Sequence, residues 1–319
     1  MLLILTTLIL GLVILVWSAD RFVIGASATA SILGVSTLVV GILVVGIGTS
    51  APEMLVSAMA AADGQSGLSV GNALGSNITN IALILGLTAL YIPLRVQSKL
   101  ITREIPLLLL VMLGGYFLLR DGELGFTDGC ILLGGFLAVV LRQLWEAKHS
   151  RGDALEAEYA EEIPKDMSLP VALGWLLVGL ILLMASARML VWSAVELAQI
   201  FGVSDLVIGL TVVAIGTSLP ELAASVAAAR KGEHDIAIGN VIGSNLFNLL
   251  GVMALPGADR RQRGRSPLSA STSAGNRGRR SPYQWRRAPE IRRYEGGLLL
   301  TVYLGYLAYL LVDTGAISF

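Results

Sequence analysis

Residues 34–53 are GVSTLVVGILVVGIGTSAPE, and residues 202–221 are GVSDLVIGLTVVAIGTSLPE. The two stretches lie 168 residues apart and are identical at 14 of 20 positions. The same shift aligns GNALGSNITN at residues 71–80 with GNVIGSNLFN at residues 239–248. An internal repeat of this length indicates that the chain is a duplicated unit, with one copy of both motifs in each half.

The composition places this duplicated unit in a membrane. Hydrophobic residues make up 55% of the 319 residues, charged residues make up only 14%, and the mean hydropathy is +0.74. These values lie outside the range of soluble domains. The apolar N-terminus lacks the basic region and the small-residue cleavage site of a signal peptide, so we interpret it as a retained first span. A window of about 20 residues predicts spans near residues 2–18, 35–62, 68–92, 105–119, 125–145, 170–187, 203–229, 236–256 and 296–312.

The repeat and the charged stretches divide the chain into two units. The first unit covers residues 1–145, a charged cytoplasmic linker covers 146–169, and the second unit covers 170–319. Each unit is expected to contain five spans, and an odd number makes the second copy enter the membrane from the opposite side. The prediction is an all-α polytopic membrane protein with two inverted five-helix repeats and ten transmembrane helices. The lysines and arginines fit this topology when the N-terminus is periplasmic.

Residues 257–293 interrupt the pattern. The repeat predicts the ninth span there, but the stretch carries 11 of the 23 basic residues and almost no apolar run. We favour a compensated frameshift in the gene, because out-of-frame reading of GC-rich DNA yields Arg, Gly, Ser, Pro and Ala. The alternative is a genuine basic loop that contacts lipid or nucleic acid, although the predicted topology starts that loop outside the cell.

The octapeptides GIGTSAPE and AIGTSLPE predict broken helices. Pro52 and Pro220 have no N–H, so the carbonyls four residues earlier, at Gly48 and Gly216, lose their helical partners. Irregular backbone at membrane depth is tolerated only where protein or a water-filled cavity satisfies it. The neighbouring hydroxyls are therefore candidate ion ligands: Thr49, Ser50, Thr217 and Ser218.

The glutamates that end the octapeptides, Glu53 and Glu221, supply the charge. A lone carboxylate in the bilayer is costly, and two brought together across a pseudo-two-fold axis need a cation between them. Carboxylates with carbonyl and hydroxyl oxygens, without His or Cys, suit Ca²⁺ or Na⁺.

The second motif contributes further polar groups on the neighbouring helix. We predict ligation by four of its residues: Ser76, Asn80, Ser244 and Asn248. Asn77 and Asn245 fit ligation and helix-to-helix hydrogen bonding equally well. The glycines at four-residue spacing are expected to let helices pack closely: Gly71, Gly75, Gly239 and Gly243.

Other functional classes fit the sequence less well. An intramembrane hydrolase needs a nucleophile with a base, but no HExxH motif occurs, and His149 and His234 are expected near helix ends. Cys130 is a lone cysteine in an apolar run. We therefore expect neither an enzyme nor a resident cofactor.

The paired GTSAPE and GTSLPE, with the paired GSNITN and GSNLFN, resemble the two alpha-repeats of the calcium/cation antiporter superfamily. The resemblance is to its bacterial inner-membrane sodium/calcium exchanger-like (YrbG-like) branch, over residues 1–256 and 291–312. It implies ten helices, with the second, third, seventh and eighth gathered around the ions. It also implies that Glu53 and Glu221 bind Ca²⁺ and Na⁺ in competition. Thr49 and Thr217 would give carbonyls, and four serines would complete sodium sites: Ser50, Ser218, Ser76 and Ser244. Some relatives have aspartate at the position of Asn248, so this chain lacks a third acidic ligand.

The resulting expectation is a secondary active antiporter that exchanges Ca²⁺ for Na⁺ across the bacterial inner membrane by alternating access. If protons on the two glutamates replace sodium, the same site becomes a Ca²⁺/H⁺ exchanger, which is the main alternative. A cation channel is a weaker alternative, because it would use the same carboxylates without countertransport. Apart from the ions and the lipid bilayer, we expect neither a nucleic acid nor an obligatory protein partner.

Overall fold

The structure is a computed structural model that describes residues 1–64, 66–97, 100–122, 124–149, 167–201, 214–257 and 290–313. These parts of the chain are almost entirely helical. Six of their helices are long and apolar enough to cross a membrane, or seven if one bent pair counts as a single span. An all-helical polytopic membrane protein is thereby confirmed. The helices are α1 (Leu2–Leu33), α2 (Thr37–Thr49), α3 (Ala51–Ala62), α4 (Ser66–Tyr91), α5 (Leu100–Leu118), α6 (Phe126–His149), α7 (Leu169–Ile200), α8 (Ala214–Thr217), α9 (Leu219–Arg230), α10 (His234–Val252), α11 (Ala254–Gly257) and α12 (Arg293–Asp313).

The helices α1 and α7 are much longer than the predicted spans at residues 2–18 and 170–187. Each has 32 residues and continues past the end of its apolar run. The C-terminal part of α1 is rich in small residues, and most of residues 22–30 are buried against protein. A hydropathy window recognises lipid-facing segments, so it missed a segment whose faces are covered by other helices.

α1 and α7 pack against each other at backbone distance. A Cβ atom added at Gly25 would lie 2.4 Å from the backbone nitrogen of Leu176, and one at Gly179 would lie 2.7 Å from the backbone of Phe22. Side chains cannot be accommodated at such distances, so these glycines allow the two long helices to touch.

The predicted helix breaks are present. α2 and α3 meet at Ser50 with a bend of 47°, and the backbone of Ser50 has φ −81° and ψ 7°. Ser218 has nearly the same conformation, with φ −91° and ψ 7°, between α8 and α9. Pro52 and Pro220 are the second residues of α3 and α9, where the absent N–H costs no hydrogen bond within the new helix.

α10 is the centre of the protein and is almost completely buried. It crosses α2 closely, since a Cβ at Gly243 would lie 2.2 Å from the carbonyl oxygen of Ile42, and one at Gly239 would lie 2.9 Å from that of Leu38. The predicted packing role of these two glycines is confirmed.

The corresponding prediction for Gly71 and Gly75 stays a prediction. Within the described part of the chain, nothing lies within 4 Å of a Cβ added at either position. Gly71 and Gly75 correspond to Gly239 and Gly243 in the other sequence copy. The α2 residues that contact Gly239 and Gly243 correspond, 168 positions later, to a segment at 205–213. That segment lies outside the described residues, as does most of the first half of the predicted span at 203–229.

The outer helices present apolar side chains to the surroundings. Large exposed hydrophobic residues on α1, α5 and α6 include Leu2, Leu110 and Leu141, as expected of surfaces that contact lipid. A short antiparallel pairing of β1 (Leu94–Arg95) with β2 (Glu290–Ile291) joins the end of α4 to the start of α12.

The predicted last span, 296–312, lies within α12. Most of the predicted linker, 146–169, and of the stretch at 257–293 lies outside the described residues.

Candidate cation site

The helix breaks place two carboxylates in the interior. Glu53 lies in the first turn of α3 and Glu221 in the first turn of α9, and their exposed fractions are 1% and 0%. Both positions follow the Ser-x-Pro break, so the same local sequence directs both side chains inward. Two buried carboxylates are unfavourable unless other groups or a cation compensate their charge.

The serines at the breaks contact the glutamates crosswise. Ser50 Oγ donates to Glu221 Oε1 at 3.1 Å, and Ser218 Oγ donates to Glu53 Oε1 at 3.4 Å. Each serine therefore reaches the glutamate of the other sequence copy, which brings the two carboxylates to one place. The second oxygen of each carboxylate, Oε2, is buried and has no partner among the described residues. These two oxygens are available for a cation.

The threonines next to the breaks lie in different surroundings. Thr49 is fully buried, and its hydroxyl lies 3.0 Å both from the carbonyl oxygen of Val45 and from Asn240 Oδ1. Thr217 is only half-buried and lines a cavity. The two threonines thus flank the carboxylates, and only Thr217 faces open space.

The predicted ligands of the second motif lie on α4 and α10, and all four are buried: Ser76, Asn80, Ser244 and Asn248. Asn80 Nδ2 donates to Asn245 Oδ1 at 3.2 Å, and Asn80 Oδ1 has no partner within the described ranges. Neither side-chain polar atom of Asn248 has a partner in the described part of the chain. Ser244 Oγ donates to the carbonyl of Gly46 at 3.1 Å.

Asn77 and Asn245 link the two helices. Asn77 Nδ2 donates to the backbone carbonyl of Asn245 at 3.3 Å, so this amide makes the helix-to-helix hydrogen bond that the sequence left open. Asn77 Oδ1 nevertheless has no partner among the residues that the structure describes. Buried polar atoms are nearly always satisfied in proteins, and unpartnered amide and carboxylate oxygens in one region fit a site for a hard cation and water.

π-helical turns occur at both copies of this motif. One extends over Thr79–Leu85 and the other over Asn248–Val252. Such turns displace one residue from the regular helical hydrogen-bond pattern and are frequent at functional sites. Here they occur at Asn80 and Asn248, which the sequence predicts as ligands.

Two residues that the sequence analysis did not single out complete the surroundings of the glutamates. Asn72 Nδ2 donates to the carbonyl of Glu53 at 3.0 Å and to Ser57 Oγ at 2.8 Å. Asn240 Nδ2 makes the same two bonds to Glu221 and Ser225, at the same distances. The sequence feature that could have identified these two asparagines is the Gly-Asn pair at the start of both copies of the motif.

The candidate ligand atoms are all oxygens. In the described residues no group of three or more His, Cys, Asp or Glu side chains is arranged to hold a metal. Cys130 is exposed on α6, away from the carboxylates. Two carboxylates with neutral oxygens suit Ca²⁺ or Na⁺ and do not suit zinc or copper.

A cavity of about 380 Å³ approaches the site from one side. It lies between α3, α7 and α8 and extends to the residues beside both helix breaks. Its described lining consists of Pro52, Val56, Met184, Ala187, Arg188, Val191, Trp192, Gly216 and Thr217.

The chain is similar to known membrane antiporters in both sequence and structure. Residues 3–145 and 171–271 match the family "Sodium/calcium exchanger protein". The chain is 47% identical to "Putative antiporter CaxA" of Alkalimonas amylolytica over 315 residues, which cover 96% of this chain and 98% of that protein. It is 48% identical to "Inner membrane protein YrbG" of Escherichia coli over 261 residues, 80% of each chain. A structure of the sodium-calcium exchanger NCX_Mj soaked with Na⁺ and Sr²⁺ superposes with a TM-score of 0.76 at 31% identity, over 96% of this chain and 98% of that one.

Proposed function

Because the chain belongs to the sodium/calcium exchanger family of cation antiporters, we propose that it exchanges Ca²⁺ for Na⁺ by alternating access. The observation that carries the proposal is the pair of buried glutamates, each hydrogen-bonded by the serine of the other copy and each with one oxygen left over. The chain is a membrane transporter and not an enzyme. A Na⁺- and Sr²⁺-soaked exchanger of similar structure supports these ions as cargo.

Charge balance explains how such a site couples two ions. Two ionised glutamates carry about two negative charges, which one Ca²⁺ or two Na⁺ neutralise. A neutralised site can move between the two membrane faces, whereas an empty site would carry uncompensated charge through a low-dielectric interior. Loading with either ion therefore permits the conformational change, and the two ions move in opposite directions.

The proposed ligand set extends the two carboxylates with oxygens on four helices. Glu53 and Glu221 serve both ions, and the remaining ligands are Thr49, Thr217, Ser50, Ser218, Ser76, Ser244, Asn80 and Asn248. Burial of all of these side chains except the half-buried Thr217 supports the set. Asn248 offers a neutral oxygen, so the site has two carboxylates and balances two positive charges per cycle.

The architecture that we propose is an inverted pair of five-helix repeats with ten transmembrane helices. Contacts that recur at positions 168 residues apart support it, including those of Asn72 and Asn240. The units are residues 1–145 and 170–319, joined by the charged linker at 146–169. The location is the bacterial inner membrane with the N-terminus in the periplasm, which the basic residues and the inner-membrane relative support.

The test is uptake of radiolabelled calcium into proteoliposomes that contain sodium. Uptake is compared between the protein with the present sequence, a version with its ninth span restored, and two variants of the restored version, Glu53→Gln and Glu221→Gln. Glu295→Gln, on α12, is the control because, among the described residues, its carboxylate accepts hydrogen bonds only from the backbone of Arg292 and from the hydroxyl of Tyr294. We expect sodium-driven uptake in the restored protein and the control, and none in either site variant.

The other outcomes identify the alternatives. Uptake driven by a proton gradient and indifferent to sodium would replace Na⁺ by H⁺ as the counterion. Calcium flux without any gradient of a second ion would indicate a channel. Full activity of both glutamine variants would overturn the paired-glutamate site.

A further inference from the structure

The amides of Asn72 and Asn240 have the same position relative to the two glutamates. Each side chain lies one helix away from a glutamate and uses both N–H groups, one on the glutamate's backbone carbonyl and one on the serine a helical turn later. Asn240 is completely buried, and both residues occupy position two of their motif. Neither amide nitrogen can ligate a cation, because it is a donor.

The glutamates occupy helix turns that need such support. α3 and α9 begin at a break, so their first turns have no continuous helix before them to fix their rotation. A carboxylate on that turn moves with it. An amide that holds the carbonyl of the glutamate and the next hydroxyl fixes the turn against the neighbouring helix.

On the basis of the proposed function, we propose that Asn72 and Asn240 are positioning residues that aim Glu53 and Glu221 at the cation. Asn240 has the larger role, because its Oδ1 also lies 3.0 Å from the hydroxyl of Thr49, before the opposite break. Its amide thus connects the two sequence copies.

The test measures half-saturating Ca²⁺ and the melting temperature of purified Asn72→Ala, Asn240→Ala and Asn240→Asp. Asn240→Asp keeps the shape and replaces the donors by an acceptor. Gln143→Ala is the matched control, since Gln143 is a fully buried amide that donates to Glu104 at 2.8 Å, away from the site. All four variants should lose thermal stability, but only the three asparagine variants should raise half-saturating Ca²⁺, by about tenfold for Asn240.

The outcomes separate this inference from the proposed function. Asparagine variants that melt earlier but keep half-saturation within twofold of the parent, like the control, would overturn the positioning role alone. A parent protein with no response to Ca²⁺ would overturn both.

The site can be approached from two sides, one beside Val23 and Ala224 and the other beside Val191 and Val56. Positions related by the 168-residue shift differ in exposure. Val23 and Ala224 are fully buried, whereas their counterparts Val191 and Val56 are half-buried and 37% exposed. Within the described part of the chain, the site is therefore closed on the side of Val23 and open on the side of Val191, where the cavity lies.

Charged residues mark both entrances. On the closed side, Lys231 Nζ lies 2.6 Å from Asp20 Oδ1 and joins α1 to the end of α9. The shift relates these residues to Arg188 and Asp63, a second complementary pair with the signs exchanged. Arg188 lines the cavity, Asp63 is exposed at the end of α3, and the two do not form an ion pair with each other.

We infer that the two pairs are alternating latches. Asp20–Lys231 holds one entrance closed in the present conformation, and Arg188–Asp63 closes the other entrance when the protein opens to the opposite side. Both members of the formed pair are partly exposed, so the bond is weak enough to break in each transport cycle.

Accessibility of a cysteine tests this inference without depending on the transported ion. In a Cys130→Ser background, Val191→Cys is labelled with a membrane-impermeant thiol reagent in right-side-out and inverted vesicles. Asp20→Asn and Lys231→Gln should each lower labelling about two- to fivefold. The exchange of charges, Asp20→Lys with Lys231→Asp, should restore it.

Two controls complete the design. Glu196→Gln, which removes a charge from α7 outside both pairs, should leave labelling unchanged. Arg188→Gln should maintain or raise it, because the open entrance can no longer latch. Unchanged labelling in Asp20→Asn and Lys231→Gln, or no restoration by the charge exchange, would overturn the latch.

Discussion

The crossing of α2 and α10 determines the position of the site, and Gly243→Ala perturbs it directly. The new Cβ would lie 2.2 Å from the carbonyl oxygen of Ile42 and 2.7 Å from its Cα. An ordinary contact needs at least 3.4 Å, so the helices must separate by about 1 Å, since backbone cannot rotate away as a side chain could.

This separation has a calculable effect on stability and on transport. Overpacking of this kind destabilises a protein by about 1–3 kcal/mol. The same crossing carries the hydrogen bond from Ser244 to Gly46 at 3.1 Å and the contact of Thr49 with Asn240 at 3.0 Å, and both would exceed bonding distance after a shift of about 1 Å. Misplacement on that scale lowers activity by about 100-fold.

Calcium uptake and thermal unfolding of the purified protein measure both effects. Gly174→Ala, on α7, is the control, because nothing lies within 4 Å of its added Cβ in the described part of the chain. We expect the control to behave as the parent. Uptake by Gly243→Ala within twofold of the control would refute the view that this close crossing sets the ligand geometry.

Three other predictions concern regions outside the site. Arg142→Ala should lower the free energy of unfolding by about 1–3 kcal/mol with unchanged half-saturating Ca²⁺, because it leaves the buried Glu104 without its ion pair at 2.6 Å; denaturation and binding titrations measure this. Burial raises the pKa of Glu233, in the turn before α10, although Ser27 donates a hydrogen bond to its carboxylate. The stability of the protein should therefore fall as the pH rises from about 4.5 through the raised pKa. Melting curves at several pH values measure this dependence, and Glu233→Gln should remove it. Sequencing the gene over the codons for residues 257–293 should reveal a compensated frameshift, and an in-frame, error-free reading would contradict it.

Local chemistry made the helix breaks predictable from the sequence. Pro52 and Pro220 exclude a helical N–H wherever they stand, so the breaks did not depend on tertiary contacts. The repeat then implied that the two glutamates meet. The exchange of serine partners between the copies was not predicted, because it depends on how the two breaks are oriented across the interior.

Features that depend on helix packing were harder to predict. The motif containing Asn72 was interpreted through its glycines, and the amide's two acceptors are known only once α4 is placed against α3. The length of α1 was underestimated because its second half is buried by α7 and α9, and hydropathy does not register contacts with protein. The packing of Gly71 and Gly75 stays a prediction, because the segment that corresponds to the partner of Gly239 and Gly243 lies outside the described residues.

The differences between the two copies follow a physical rule. Residues around the proposed cation site are the same in both, such as Ser50 and Ser218 or Asn72 and Asn240, as expected if both copies contribute to binding the same charge. At the entrances, the pair Asp20–Lys231 corresponds to the pair Arg188–Asp63. Both positions change the sign of their charge between the two copies, so the two members of each pair still have opposite charges. The member at the helix end is basic in Lys231, at the face assigned to the cytoplasm, and acidic in Asp63, at the outer face. The positive-inside rule does not decide which member is basic, because each face carries one basic and one acidic residue: Lys231 with Asp20 at one face and Arg188 with Asp63 at the other. What the two copies share at the entrances is therefore the complementary charge of the pair and not the sign at either position.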